Sequence, residues 1–188
     1  IVGLLKPITG QILLDGKSIS TYSNSLLASS IAYVGDHSFL FEGSVKNNIA
    51  FWDSTIVDAK IIEAAKDACI HSVITSRSGG YDSIISENGS NFSGGERQRL
   101  EIARALALEP NILIFDEATT GLDSNIEEKI LSNLRRRGCT VIIVSHRLST
   151  IRDSHVILYL ENGKVVESGN HDHLVQLNGK YLELINDK

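Results

Sequence analysis

Residues 91–123 read NFSGGERQRLEIARALALEPNILIFDEATTGLD, and this stretch decides the fold. It joins a Gly-Gly turn opening a helix to a buried strand that ends in two adjacent acids. The run Asn111-Ile112-Leu113-Ile114-Phe115 is short and apolar, the pattern of a strand buried on both faces of a parallel sheet. Asp116 and Glu117 emerge at its carboxyl end, where open α/β sheets place their ligands. Phosphate chemistry needs these residue types: one carboxylate to hold Mg2+, usually through water, and one to orient or deprotonate attacking water. Between turn and strand, Glu109-Pro110 stops a helix expected from Gly95 to about residue 108.

Outward from this stretch the pattern continues as α/β. Ile31-Ala32-Tyr33-Val34, closed by Gly35, and the β-branched run Thr140–Val144 read as further strands. Residues 11–14 read as a strand ending in the turn Asp15-Gly16, and residues 156–160 and 164–167 as a hairpin split by Glu161-Asn162-Gly163. From residue 44 to about 77 the spacing is helical, with Ile61, Ile62, Ala65, Ala68 and Cys69 on one face and Lys60, Glu63 and Asp67 on the other. A Gly/Ser/Asn-rich loop spans 79–93. Ser124 can cap a helix that Gly138 ends, with Arg135-Arg136-Arg137 as its solvated, dipole-favoured terminus. Residues 171–177 and 181–185 close the chain as helices. His171-Asp172-His173 could be read as metal ligands, but Asn170 capping a helix explains the run better.

The 188 residues suit one domain, 42% hydrophobic and 22% charged, with no apolar run long enough to span a bilayer. A net charge of −5 argues against nucleic acid as a partner. Cys69 and Cys139 are too few for a disulfide framework and are expected buried and reduced.

In combination these features resemble the nucleotide-binding domain of ATP-binding cassette (ABC) transporters, over essentially the whole chain. Ser93-Gly94-Gly95-Glu96 matches the family signature Leu-Ser-Gly-Gly-Gln, and residues 112–117 its Walker B strand. Ala118-Thr119-Thr120-Gly121-Leu122-Asp123 matches the D-loop, with Gly121 where exporters often carry alanine, and His146 matches the switch histidine. The resemblance implies a P-loop NTPase-like, largely parallel sheet core with a helical subdomain over about 44–108 and a small antiparallel element. It further implies ATP and Mg2+ as cofactors. Ser93, Gly94, Gly95, Glu96 and Asp123 would bind nucleotide held by an opposing subunit, and Asp116 would hold the metal. Glu117 would be the catalytic base, and His146 would contact the γ-phosphate.

Asp36 stands at the Q-loop position, in Tyr33-Val34-Gly35-Asp36 where the family has Val-Pro-Gln. A carboxylate can still coordinate Mg2+, yet it adds charge and loses the amide donors, so retuned coupling is expected. Residues 37–45 resemble the exporter segment that packs near the coupling helices. Residues 83–89 resemble the exporter X-loop, with Glu87 at its acidic position and three positions different. Glu101-Ile102-Ala103-Arg104 suggests a bacteriocin or peptide exporter.

These residues contain no G-x-x-x-x-G-K-[ST] loop, and the resemblance places its lysine about seven residues before Ile1, after a helix whose tail is residues 1–7. The expectation is an ATP-hydrolysing exporter motor truncated at its N-terminus, a fragment that binds MgATP poorly and aggregates. Its partners would be a transmembrane domain preceding it on the same polypeptide and a second nucleotide-binding domain, at the cytoplasmic face of the membrane. The rivals are a catalytically degenerate or regulatory half of a heterodimer, and a DNA-repair ATPase. The stretch between Asp36 and Ser93 is too short for the coiled coils of the latter.

Overall fold

Asp15 and Gly16, both at positive φ (49° and 75°), turn a minimal antiparallel hairpin between β1 (Leu13–Leu14) and β2 (Lys17–Ser18), as a two-residue primed turn requires. The computed structural model describes Gly3 and residues 5–186 and divides into two units, Ile1–Val144 and Ser145–Lys188. The expected helix tail at the opening falls, for Ile1, Val2 and Leu4, outside the described residues.

In the first unit, Ser23 caps α1 (Asn24–Ser30), which feeds directly into β3 (Ile31–Val34). The helical stretch expected from residue 44 breaks into α2 (Val45–Ala50), α3 (Asp58–Asp67) and α4 (His71–Ser76), preceded by a short strand, β4 (Gly43–Ser44). The breaks fall where Phe51, Trp52 and Cys69 take left-handed conformations, at φ 50°, 59° and 55°. The loop expected over 79–93 holds β5 (Ile84–Ile85), antiparallel to β4. Asn91 organises this loop by donating to Ile84 O (2.8 Å) and accepting from Ser86 N (3.0 Å).

The chain then runs through α5 (Gly94–Ala107), β6 (Ile112–Asp116), α6 (Ser124–Arg137) and β7 (Thr140–Val144). Strand β6 is central in a parallel sheet ordered β3-β6-β7, with Ile31 opposite Ile112 and Asp116 opposite Val144. Leu113 and Phe115 are buried, as an all-apolar central strand must be, and pack in one core with Val34, Ile49, Ile61, Leu100, Ile102 and Leu134. Each such side chain contributes about 1.5–3 kcal/mol by leaving water.

Three local expectations need correction. Asp67, opposite the apolar face of α3, pairs with Arg137, which is not a solvated terminus. Their side chains are 13% and 16% exposed and meet at 2.6 Å, because the end of α6 arrives beside the end of α3. Asp123, not Ser124, caps α6, its Oδ1 accepting from Ile126 N at 3.0 Å. Cys69 and Cys139 are free thiols but only half-buried.

The second unit contains α7 (Leu148–Ile151), the hairpin β8 (Ile157–Glu161) and β9 (Lys164–Gly169), α8 (His171–Leu177) and α9 (Lys180–Asn186). Asn162 and Gly163, at φ 50° and 76°, turn the hairpin. Ile157, Leu174 and Tyr181 form its core. His171 bonds the Tyr181 hydroxyl at 2.8 Å and Asn170 caps α8 through His173 N, so the His-Asp-His run is a helix start. Among the described residues, no helix is long and apolar enough to cross a membrane.

Candidate active site

Asp116 is the last residue of β6, one position later than the expected strand, and is half-buried. Its Oδ2 accepts a hydrogen bond from the Tyr33 hydroxyl at 3.1 Å. Glu117 leaves the strand in the left-handed region at φ 55°, and its N–H donates to Val144 O at 2.9 Å on the neighbouring strand. A non-glycine residue there costs about 1–3 kcal/mol, a strain that clusters at functional sites. The following turn is tightly made. Thr120 donates to Glu117 O through both its N–H and its hydroxyl, and Leu122 N donates to Thr119 O (3.0 Å). Buried Thr119 donates from Oγ1 to Glu127 Oε1 at 2.6 Å. Asp123 closes the turn as the α6 cap.

Facing this turn is the start of α5. Ser93 and Glu96 form a reciprocal capping box: Glu96 Oε2 accepts from Ser93 N (2.8 Å) and Ser93 Oγ from Glu96 N (3.3 Å). Gly94 and Gly95 are the first two helical residues, ahead of the first intrahelical bond from Arg97 N to Ser93 O. Their amides and the dipole of a 14-residue helix suit an anion. A Cβ at Gly95 would lie 3.1 Å from Gly121 O, so this helix start packs directly on the acidic turn. A Cβ at Gly94 would meet nothing nearer than Arg97 Nη2 at 4.0 Å, and one at Gly121 nothing at all.

Two side chains on one face of α5, Gln98 and Arg104, tie the stretch around Asp36 to this helix. Gln98 Nε2 donates to Gly35 O (2.9 Å), and Arg104 donates to Phe39 O (2.9 Å) and to Asn48 O (2.8 Å). Glu101 lies between them on the helix, where burial pushes its carboxyl up to about 7 against the pull of Arg104. Asp36 itself is exposed, 3.4 Å from His37 Nδ1. The stretch presents Phe39 and Phe41 in edge contact (4.9 Å), with Phe41 also against Phe51 and Trp52, all substantially exposed.

Sequence reasoning assigned no role to Tyr33, Gln98, Asn48 or Arg104. Only the three-residue spacing of Gln98, Glu101 and Arg104, polar groups on a largely buried helix, pointed to the helix members; nothing in the pattern singled out Tyr33 or Asn48. His146 follows β7 by two residues and belongs to the second unit.

The donor set fits Mg2+. A hard cation takes one or two carboxylates and completes its shell with phosphate and water, and Asp116 offers such an oxygen at a strand end. Among the described residues, no group of three or more His, Cys, Asp or Glu could hold a metal alone.

Known proteins resemble this chain in sequence and fold. The family model described as ABC transporter matches residues 1–120. The sophorolipid transporter of Starmerella bombicola is 41% identical over 186 residues, covering 96% of this chain and 14% of its own. The beta-(1→2)glucan export ATP-binding/permease protein NdvA of Agrobacterium fabrum is 40% identical over 181 residues, covering 95% of this chain and 31% of its own. A bacterial Atm1-family ABC exporter solved with ATP bound matches with a TM-score of 0.93 and 39% identity, over 99% of this chain and 33% of that one. The chain thus spans about a third or less of the length of these relatives. With a glycine-rich helix start seated on the acidic turn of a parallel sheet, and with these relatives, the chain belongs to the ABC transporter family, as a nucleotide-binding domain of the exporter type.

Proposed function

We propose that this domain binds MgATP, hydrolyses it, and couples the hydrolysis to export through a transmembrane domain that precedes it on the same polypeptide. It would work at the cytoplasmic face of the membrane, paired with a second nucleotide-binding domain. Glu117 orients the attacking water and accepts its proton. Asp116 holds Mg2+, which when bound neutralises charge on the phosphate oxygens. Gly94 and Gly95 offer amides, and Ser93 a hydroxyl, to the γ-phosphate of nucleotide on the opposing domain. Glu96 supports that cradle through the capping box, Asp123 lies at the dimer interface, and His146 contacts the γ-phosphate.

The observation that supports this reading is the close approach of Gly95 to Gly121, which holds the glycine-rich helix start against the acidic turn. In the complete protein, Glu117→Gln should lower ATP turnover by about 100-fold or more while ATP still binds and holds the dimer. Turnover at the wild-type rate would refute it. A second reading, a low-turnover regulatory half, is favoured by Asp36, which offers a carboxylate where the family has an amide. The presence of both Glu117 and His146 supports the hydrolytic reading instead.

A further inference from the structure

We infer that Tyr33 is a positioning residue for Asp116: its hydroxyl fixes one carboxylate oxygen and leaves the other for the metal. The inference rests on the metal role proposed for Asp116 above. Tyr33 pairs with Ile114 in the parallel register of β3 and β6. Side chains two residues apart share a face of a sheet, so Tyr33 and Asp116 stand on the same face, roughly 6–7 Å apart along the strand. A tyrosine lying along the strand spans that gap, and the hydroxyl reaches Asp116 Oδ2 at 3.1 Å.

The ring's path depends on Gly35. A Cβ at position 35 would lie 3.2 Å from the Tyr33 hydroxyl oxygen and 3.3 Å from ring Cε1. Gly35 is not among the positive-φ glycines, so the overlying ring, and not the backbone, explains the missing side chain. Gln98 anchors that glycine by bonding its carbonyl at 2.9 Å. Burial does not explain Tyr33 either: it is 53% exposed, while its neighbours Ala32 and Val34 belong to the core.

The chemistry suits the task. The terminal torsion of an aspartate is broad, so an unanchored carboxylate samples many orientations. A phenol fixes one oxygen with a neutral donor and adds no charge beside the triphosphate.

The test measures nucleotide binding in the complete protein, in a Glu117→Gln background that blocks turnover. ATP affinity is titrated by calorimetry with and without Mg2+, alongside thermal melting. Tyr33→Phe removes only the hydroxyl. It should raise the half-saturating Mg2+ concentration about 5- to 10-fold, with Mg2+-free ATP affinity and melting temperature unchanged. Gly35→Ala should give the same shift, and the double variant no more than either single one. An unchanged Mg2+ midpoint in Tyr33→Phe, or an equal loss of ATP affinity without Mg2+, would overturn the inference. Asp116→Asn separates the two levels. If it abolishes the Mg2+ dependence while Tyr33→Phe does not shift it, only the role of Tyr33 falls. If Asp116→Asn leaves the dependence intact, the metal role of Asp116 falls and the Tyr33 inference with it.

Discussion

Gly95 and Gly121 approach so closely that a methyl group on the first would lie 3.1 Å from the carbonyl oxygen of the second. The neighbouring Gly94 has open space instead, so two adjacent glycines in one motif serve different purposes. Gly95→Ala must push α5 away from the acidic turn, an overpacking cost of about 1–3 kcal/mol. Gly94→Ala should leave stability within about 0.5 kcal/mol and yet lower ATP turnover, because the methyl group obstructs the anion's approach to the amides. Chemical denaturation and turnover on both variants of the complete protein check this; equal stability losses would refute it.

The Asp67–Arg137 pair joins the ends of α3 and α6 at 2.6 Å, and Arg137 also donates to Leu106 O at 3.0 Å. Asp67→Ala leaves a largely buried guanidinium without its carboxylate. Such a loss costs about 3–5 kcal/mol for a fully buried pair, and about 2–3 kcal/mol here given the remaining partners. The midpoint of chemical denaturation should fall accordingly, with ATP affinity changed little.

Glu101 has a buried Oε2 with no hydrogen-bond partner among the described residues, and burial raises its pKa from 4.5 to about 7. Between those values the folded chain keeps a proton that the unfolded chain has lost. Stability therefore falls as pH rises through that window and levels off above it. Glu101→Gln mimics the protonated form at every pH. It should melt with the wild type at pH 4.5 and above it at pH 8 by about 2–4 °C, the equivalent of about 1 kcal/mol after discounting for a half-exposed site. Parallel melting curves at both pH values would contradict it.

What was legible in the sequence had a local cause. The strands at 31–34 and 140–144 are short apolar runs between breakers, and Asn162-Gly163 announces its hairpin. Ser93-Gly94-Gly95 and Asp116-Glu117 were legible as a helix start and a strand end, though not the approach of Gly95 to Gly121. What escaped depends on elements remote in sequence. Periodicity put Asp67 on a polar face because α3 alone cannot show that α6 ends beside it. Asp123 and Ser124 are both good caps, and only the backbone path selects the first. Tyr33 looked like one apolar residue of a strand, since its partner Asp116 belongs to another strand.

Asp36 departs from the family pattern at the Q-loop position, and the structure shows why replacing it should not disturb stability. Its side chain is 59% exposed, with His37 Nδ1 at 3.4 Å. The backbone beside it is held independently by Gln98 at Gly35 and by Arg104 at Phe39. Asp36→Gln should therefore leave the melting temperature unchanged, as exposed substitutions do within about 0.5 kcal/mol. The amide restores donors and removes a negative charge, which on the proposed reading lies near the triphosphate. Substrate-stimulated ATP turnover of the complete protein in membranes should rise roughly fivefold, with basal turnover moving less. If stimulated and basal turnover both stay at wild-type values, Asp36 serves coupling as well as glutamine does, and the regulatory reading loses its one supporting residue.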